Sequence, residues 1–423
     1  MPGQIAPSEI LAMTIRAFLR AFAFLAVAAP AFAQAQVVHG MPETRDLERV
    51  GLVSAWWARA VVDAKQDEIE HIRCDEQVVL VQSRQGLFTA FRADTGRQLW
   101  SVLLGGPIYR AFPAAMNETE VVIALGLNMY SLDKFTGETR WNVRLPGHPS
   151  CTPEIDSNQV YIGTTDGSVY AYSLRIIRQL FGERKLPGFT HMAQVWRYKT
   201  PDAIIAIASN GTVVDFASSR GTLYGVDAKE RALRYQIETS ERIRTPMGRS
   251  QNSIYLPTTD GRLTGLSLDN GRVRWEFTAG TEILTRPRSI GPNVYVAPAR
   301  AGLYCLESEF GAELWRQTLA AEFTAATDTR IYAFDSVGKL LVLDIATGRV
   351  TGSLQMRQFP VHFGNEMTDR IIVATPDGLV ASFHEQGRAQ PIFHRNPERR
   401  PLLPDMAPDE PAAPATEPAP QTN

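Results

Sequence analysis

The sequence predicts an all-β chain closed into a ring, an eight-bladed β-propeller built from four-stranded antiparallel blades. Three observations carry that expectation. One pattern recurs along the 423 residues: an apolar strand, a Gly-bearing turn, an alternating strand, a Thr-Gly-like turn and a Trp, seen most plainly at 121–141, 254–275 and 294–315. The first turn glycine falls at Gly86, Gly126, Gly167, Gly221, Gly261, Gly302, Gly338 and Gly378, at intervals of 40, 41, 54, 40, 41, 36 and 40 residues. Five of the 7 Trp (Trp100, Trp141, Trp196, Trp275 and Trp315) close repeats. A β-rich unit of about 40 residues is the period of a propeller blade.

Each element of the repeat has a physical reason. In the third copy Val160-Tyr161-Ile162-Gly163 reads as a strand and Asp166-Gly167 as a hairpin turn, since a type I′ turn needs positive φ. The same dipeptide returns at Asp260-Gly261 and Asp377-Gly378. A second turn stands at Thr95-Gly96, Thr136-Gly137, Asn270-Gly271 and Thr347-Gly348, and Trp100, Trp141 and Trp275 follow three of these glycines at four residues. A Trp at a fixed place on the last strand is a packing residue between blades. A further strand precedes each unit and is marked by proline in Phe112-Pro113, Thr152-Pro153, Thr245-Pro246 and Arg286-Pro287. Proline lacks a donor and belongs at strand starts or edges. Four strands per repeat follow.

The departures predict how the ring closes. The fourth copy ends in Tyr235, the seventh offers Gly352, and the eighth offers Pro391 and so lacks a Trp strand. Residues 52–62 contain Trp56-Trp57, and Trp57 precedes Val78 by 21 residues, as Trp100 precedes Val121. The expectation is an N-terminal strand that completes the last blade, with Trp57, Trp100, Trp141, Trp196, Trp275 and Trp315 as the blade tryptophans. Residues 46–50 just before it read as a short helix.

The termini and bulk composition set the class. With 43 basic and 45 acidic residues the chain lacks the basic excess of a dedicated nucleic-acid binder. Arg16 and Arg20 flank or interrupt the start of an apolar run at 21–29, and Ala31-Phe32-Ala33 supplies small residues for cleavage. Residues 1–33 are therefore expected to be a signal peptide, with Met1 or Met13 as the start. The run is shorter than the roughly 20 residues of a membrane span. No Cys follows it, so a soluble, unlipidated protein of the periplasm or cell envelope is expected. Residues 34–51 form a lead segment, 52–396 the propeller, and 397–423 a disordered tail of Pro, Ala and acidic residues. Cys74, Cys151 and Cys305 fit no zinc or redox spacing. They read as small buried hydrophobes, with one disulfide pair left open.

These repeats resemble the quinoprotein-type (PQQ-like) propeller repeat over about residues 52–393, with Asp133, Asp227 and Asp344 in place of its Asp. Trp-Asp repeat ends are absent, which excludes the WD40 pattern. The resemblance implies one of two branches. One comprises alcohol and sugar dehydrogenases that use pyrroloquinoline quinone and calcium. The other is non-catalytic and typified by BamB, a component of the outer-membrane protein assembly machinery. The dehydrogenases carry an adjacent Cys-Cys pair, long insertions and six to eight calcium-binding oxygens, and no such set is found in this sequence. The expected role is therefore a non-catalytic scaffold with no cofactor, no catalytic or metal residues, a protein partner in the envelope and a monomeric state. The alternatives are a PQQ-dependent dehydrogenase-like oxidoreductase and a propeller that binds a carbohydrate or other small ligand.

Three features are candidate binding surfaces. Arg110, Arg242, Arg244, Arg286 and Arg288 crowd the first strands, with His148 and His362 at comparable places. On one face they would form a cationic mouth for acidic partners; otherwise they are strand-end arginines neutralised by carboxylates. The long third repeat carries Ile176, Ile177, Leu180 and Phe181 at helical spacing, beside Arg175, Arg178, Arg184 and Lys185. Such a helix either docks a partner or packs on its own blade. The tail either spans a gap, binds a partner or is simply solvated.

Overall fold

The computed structural model describes residues 40–105 and 111–395. The expected signal peptide, Arg110 and the tail 397–423 lie outside the described residues. The chain divides into two compact units, Met1–Met41 and Pro42–Asn423, and every element below belongs to the second.

Among the described residues 32 strands form eight four-stranded antiparallel sheets. Blades 1 to 7 each take four consecutive strands, over residues 69–103, 115–144, 154–199, 204–238, 248–278, 288–317 and 320–355. Blade 8 takes its inner three strands from 361–385, and Leu52–Arg59 pairs with Leu379–Glu385 as its outermost strand. The ring is thus closed by the N-terminal strand, as the missing eighth Trp strand predicts.

Position in the blade sets the burial pattern. Second strands such as Val78–Ser83, Glu120–Leu125 and Val213–Ser218 are buried at every position, because neighbouring blades cover both faces. Fourth strands such as Val273–Thr278 are largely exposed and bury chiefly their third residue, here Trp275. First strands are only two residues long in blades 2, 3, 5 and 8. Pro113, Pro153, Pro246 and Pro360 stand just before them, where a missing N–H shortens the ladder.

Adjacent blades are locked by a Trp–Gly contact. The indole N–H of Trp100 donates to Lys134 O of the next blade at 2.9 Å; Trp196 reaches Ala228 O at 2.8 Å, Trp275 Ser308 O at 3.0 Å and Trp315 Ile345 O at 2.8 Å. The rings of Trp100, Trp275 and Trp315 lie on the turn glycine of that next blade, whereas blade 4 has Arg231 at φ +58° in the corresponding turn. Gly137 has φ +73°, and a Cβ there would sit 2.6 Å from Trp100 Cγ. Thr-Gly turn and Trp recur at the blade period because such a Trp is covered by the turn of the following blade.

The closing strand corrects one expectation. Trp56, not Trp57, is the blade tryptophan: it is 6% exposed and donates to Ala93 O at 2.8 Å, whereas Trp57 is 45% exposed. Trp56 pairs with Ser382 as Trp100 pairs with Ala90, each opposite the fourth residue of its partner strand. The length from blade Trp to the next second strand varies, so an equal count of residues does not align the rings, and a one-residue slip exchanges the two faces of a strand.

The other departures are also compensated. Helix α1, Thr44–Arg49, buries Leu47 and is followed by Val50. A Cβ on Gly352 would meet Val50 Cγ1 at 3.4 Å, so the lead segment covers the site where blade 7 lacks a Trp. In blade 4 the Tyr235 hydroxyl donates to buried Asp215. Cys74, Cys151 and Cys305 are buried free thiols, and burial raises all three, Cys151 and Cys305 to about 12. No disulfide joins them.

Candidate functional site

Antiparallel order gives the ring two unlike faces. First-to-second and third-to-fourth turns lie on one, termed lower; second-to-third turns and the connections between blades lie on the other, termed upper. The first strands line the channel between them.

Helix α2, Leu174–Gly182, replaces the third-to-fourth turn of blade 3. The Ser173 hydroxyl caps it by accepting from Ile176 N. Leu174, Ile177 and Leu180 are buried against Trp141, Val143, Tyr170 and Tyr172, and Ile176 packs on the same cluster. This corrects the docking expectation for these side chains: Ile177 and Leu180 are core, and Phe181 at 37% exposed is the outward apolar residue of the four. The helix also supplies a half-exposed cation to a buried carboxylate. Arg178 Nη2 lies 2.7 Å from Glu120 Oε1, while Trp141 and Ser131 donate to Glu120 Oε2 at 3.1 and 3.0 Å.

Arg242, Arg244, Arg286 and Arg288, the described arginines singled out in the sequence, do not form one cationic mouth. Arg242 and Arg244 are exposed on the upper face, with Arg244 Nη1 3.7 Å from Glu282 Oε1. Arg286 and Arg288 instead turn into the channel. Pairing of Gly248 with Tyr255 and of Arg288 with Tyr295 makes Arg288 level with Gly248, four residues beyond Arg244. The prolines that align these segments in the sequence are out of step by one residue, which hides that difference.

Inside the channel, charges from distant repeats converge. Glu366 Oε1 takes Arg395 Nη2 at 3.0 Å and Arg286 Nη2 at 3.2 Å, with Arg288 Nη1 at 3.9 Å. Burial alone would raise Glu366, but Arg286, Arg288, Arg395 and Arg73 overcome it and hold the carboxyl below its usual range. Burial, with repulsion from Arg286, brings Arg73 and Arg288 down to about 10. Burial raises Glu154, which accepts from Ser209 N at 3.3 Å and has Arg286, Arg249 and Arg395 nearby. His362 stacks on Phe334 with centroids 3.7 Å apart and approaches Glu322 Oε2 at 3.4 Å. Arg249 lies beside Asp215, whose carboxyl burial pushes up to about 6 against the pull of Arg249 and the Tyr235 hydroxyl.

Two cavities open from this cluster. A lower-face mouth of about 1240 Å³ is ringed by first-to-second turns of blades 1 to 6, with Arg249, His394 and Arg395 in its wall. A smaller space of about 150 Å³ lies among Arg286, Arg288, Glu322 and Tyr295. Among the described residues no three His, Cys, Asp or Glu side chains gather as a metal-ion site. Arg73, Glu154, Arg249, Glu322, Glu366 and Arg395 carried no sequence signal, because each is a single residue in an otherwise unremarkable strand or loop.

The comparisons with known proteins agree with this architecture. The family model described as "Outer membrane protein assembly factor BamB" matches residues 83–180, 192–290 and 286–390, more than half of the chain. The outer membrane protein assembly factor BamB of Yersinia pestis is 22% identical over 218 residues, covering 45% of this chain and 54% of that protein. That of Shewanella oneidensis is 22% identical over 266 residues, covering 60% and 65%. The chain thus spans about half to two thirds of the length of these curated relatives. Among solved structures, BamB from Moraxella catarrhalis aligns with a TM-score of 0.60 at 16% identity, over 79% of this chain and 98% of that one. The computationally designed Ika8 protein aligns at 0.61 and 13% identity, over 77% and 100%. At such identities the structural likeness carries the fold alone. The family match carries more: the chain belongs to the BamB family of PQQ-like propellers.

Proposed function

We propose that this propeller is a non-catalytic scaffold of the cell envelope that binds a protein partner on its upper face and serves outer membrane protein assembly. The observation that carries the reading is a run of exposed side chains on successive upper-face loops. Arg242 and Arg244 precede blade 5, Leu284 (60% exposed) precedes blade 6, Leu319 (62%) precedes blade 7, and Val337 (53%) sits in the blade 7 turn. Large apolar residues beside arginine on a rigid face suit a protein interface, where such groups anchor and charged rims orient. Membership of the BamB family supports the envelope setting, as does the leader expected at residues 1–33. No described helix is long and apolar enough to cross a membrane.

The test is capture of outer-membrane assembly proteins from envelope extracts by the full protein and by a Leu284→Asp/Leu319→Asp variant. Both positions are exposed, so thermal unfolding should not change. Capture should fall about tenfold or more, the cost of two lost apolar anchors. Equal capture by the variant would remove this face from the proposal. Failure of the unaltered protein to capture any such partner would remove the scaffold reading itself.

A further inference from the structure

We propose that the lower mouth of the channel is a binding site for a carboxylate, anchored on the guanidinium of Arg249. Among the described residues, Arg249 Nη1 and Nη2 are buried and have no hydrogen-bond partner, and the side chain is 10% exposed. The carboxylate beside it, Asp215, stands with Oδ2 3.8 Å from Nη2, beyond hydrogen-bond range, while its Oδ1 accepts from Tyr235. A buried cation with unmet donors is costly, and an incoming acceptor relieves that cost.

The deficit is particular to Arg249. Other cations at this mouth are engaged: Arg395 on Glu366, Arg178 on Glu120, Lys134 on Asp75 and Arg274 on the Ser253 hydroxyl. Arg249 lines the cavity of about 1240 Å³; its two terminal nitrogens are themselves covered, and a turn of the side chain toward the cavity presents them to a ligand larger than water. A guanidinium presents parallel N–H donors that match a carboxylate or a phosphate. Glu154 and Asp215 flank it, and their charge penalises a doubly charged phosphate more than a singly charged carboxylate. Acidic side chains also stand in the wall, Asp156 and Glu309 among them, while the uncharged donors and acceptors of Asn210, Ser250, Gln251 and Asn252 suit hydroxyls or amides next to the charged group. The site therefore takes a polar monocarboxylate, either a free hydroxy acid or the carboxylate end of a peptide. It is separate from the upper face and does not rest on the scaffold reading.

Calorimetric titration of the full protein at low ionic strength tests this with two matched pairs: gluconate against glucose, and the tripeptide acid Ac-Ser-Asn-Gly against its C-terminal amide. The expected result is that at least one acid binds about tenfold more tightly than its neutral partner, and that Arg249→Gln abolishes the difference. The pair that shows it names the source of the carboxylate. No binding by either acid, equal binding of acid and neutral partner, or an acid preference that persists in Arg249→Gln overturns the proposal. If circular dichroism shows Arg249→Gln to be unfolded, Arg249→Lys decides, since it keeps the buried charge and loses the parallel N–H donors. Loss of part of the acid preference in that variant supports the site, and an unchanged preference overturns it.

Discussion

Replacing the two adjacent tryptophans of the closing strand one at a time should separate them sharply. Trp56 is 6% exposed, stacks near Phe91 at 6.4 Å and donates to Ala93 O across the junction between blades 8 and 1. Trp56→Ala removes a buried indole and costs about 3–5 kcal/mol by analogy with other large-to-small core changes. It also strips Ala93 O of its donor, adding about 1 kcal/mol if that carbonyl stays dry. At about 2 °C per kcal/mol for a ring of this size, Tm should fall by roughly 6–12 °C. Trp57, at 45% exposed, faces outward on the same strand, and Trp57→Ala should stay within about 1 °C of the unaltered protein. Far-UV circular dichroism is the suitable readout, because both variants lose a fluorophore. Equal losses, or a larger loss for Trp57→Ala, would refute the assignment of Trp56 as the residue that locks the ring.

Two further outcomes follow from the buried groups. Ile177→Asp should destabilise the whole ring by about 4 kcal/mol or more, since it buries an unpaired charge between helix α2 and blades 2 and 3; selective loss of partner capture by a fully stable variant would show instead that the helix is a docking element. Asp215 has a folded-state pKa near 6 against an ordinary 3.8, so the folded protein holds this proton more tightly than the unfolded chain. Its stabilising contribution is complete below pH about 4 and is lost as pH rises through about 6. Asp215→Asn should flatten the fall in urea midpoint across that window, and an unchanged slope would contradict the burial argument.

Much of the architecture is legible because the repeat imposes local chemistry. Each blade needs a positive-φ turn, two strands covered on both faces, and a bulky ring where the next blade's turn glycine leaves space. Those demands write glycine, continuous apolar runs and Trp into the chain at the blade period. The missing eighth Trp then points to closure by the N-terminal strand. Helix α2 was also legible as a helix, from the spacing of Ile176, Ile177, Leu180 and Phe181. Which surface its apolar side meets was not, because amphipathicity states that a face is buried without naming what buries it.

The sequence by itself thus determined the class of fold, the number of blades and the strand that completes the last one, all properties of short segments repeated in order. The tertiary structure alone decided the one-residue register that puts Trp56 inside and Trp57 outside, since that depends on the length of the connection into blade 1. It alone decided the separation of Arg242 and Arg244 from Arg286 and Arg288, because upper loop and channel wall lie a few residues apart on one segment. Only closure of the ring brings Arg73, Glu154, Arg249, Glu366 and Arg395 within electrostatic reach across the channel. Single residues hundreds of positions apart become neighbours there because a circle returns every first strand to the same axis, and no local pattern in the chain records that meeting.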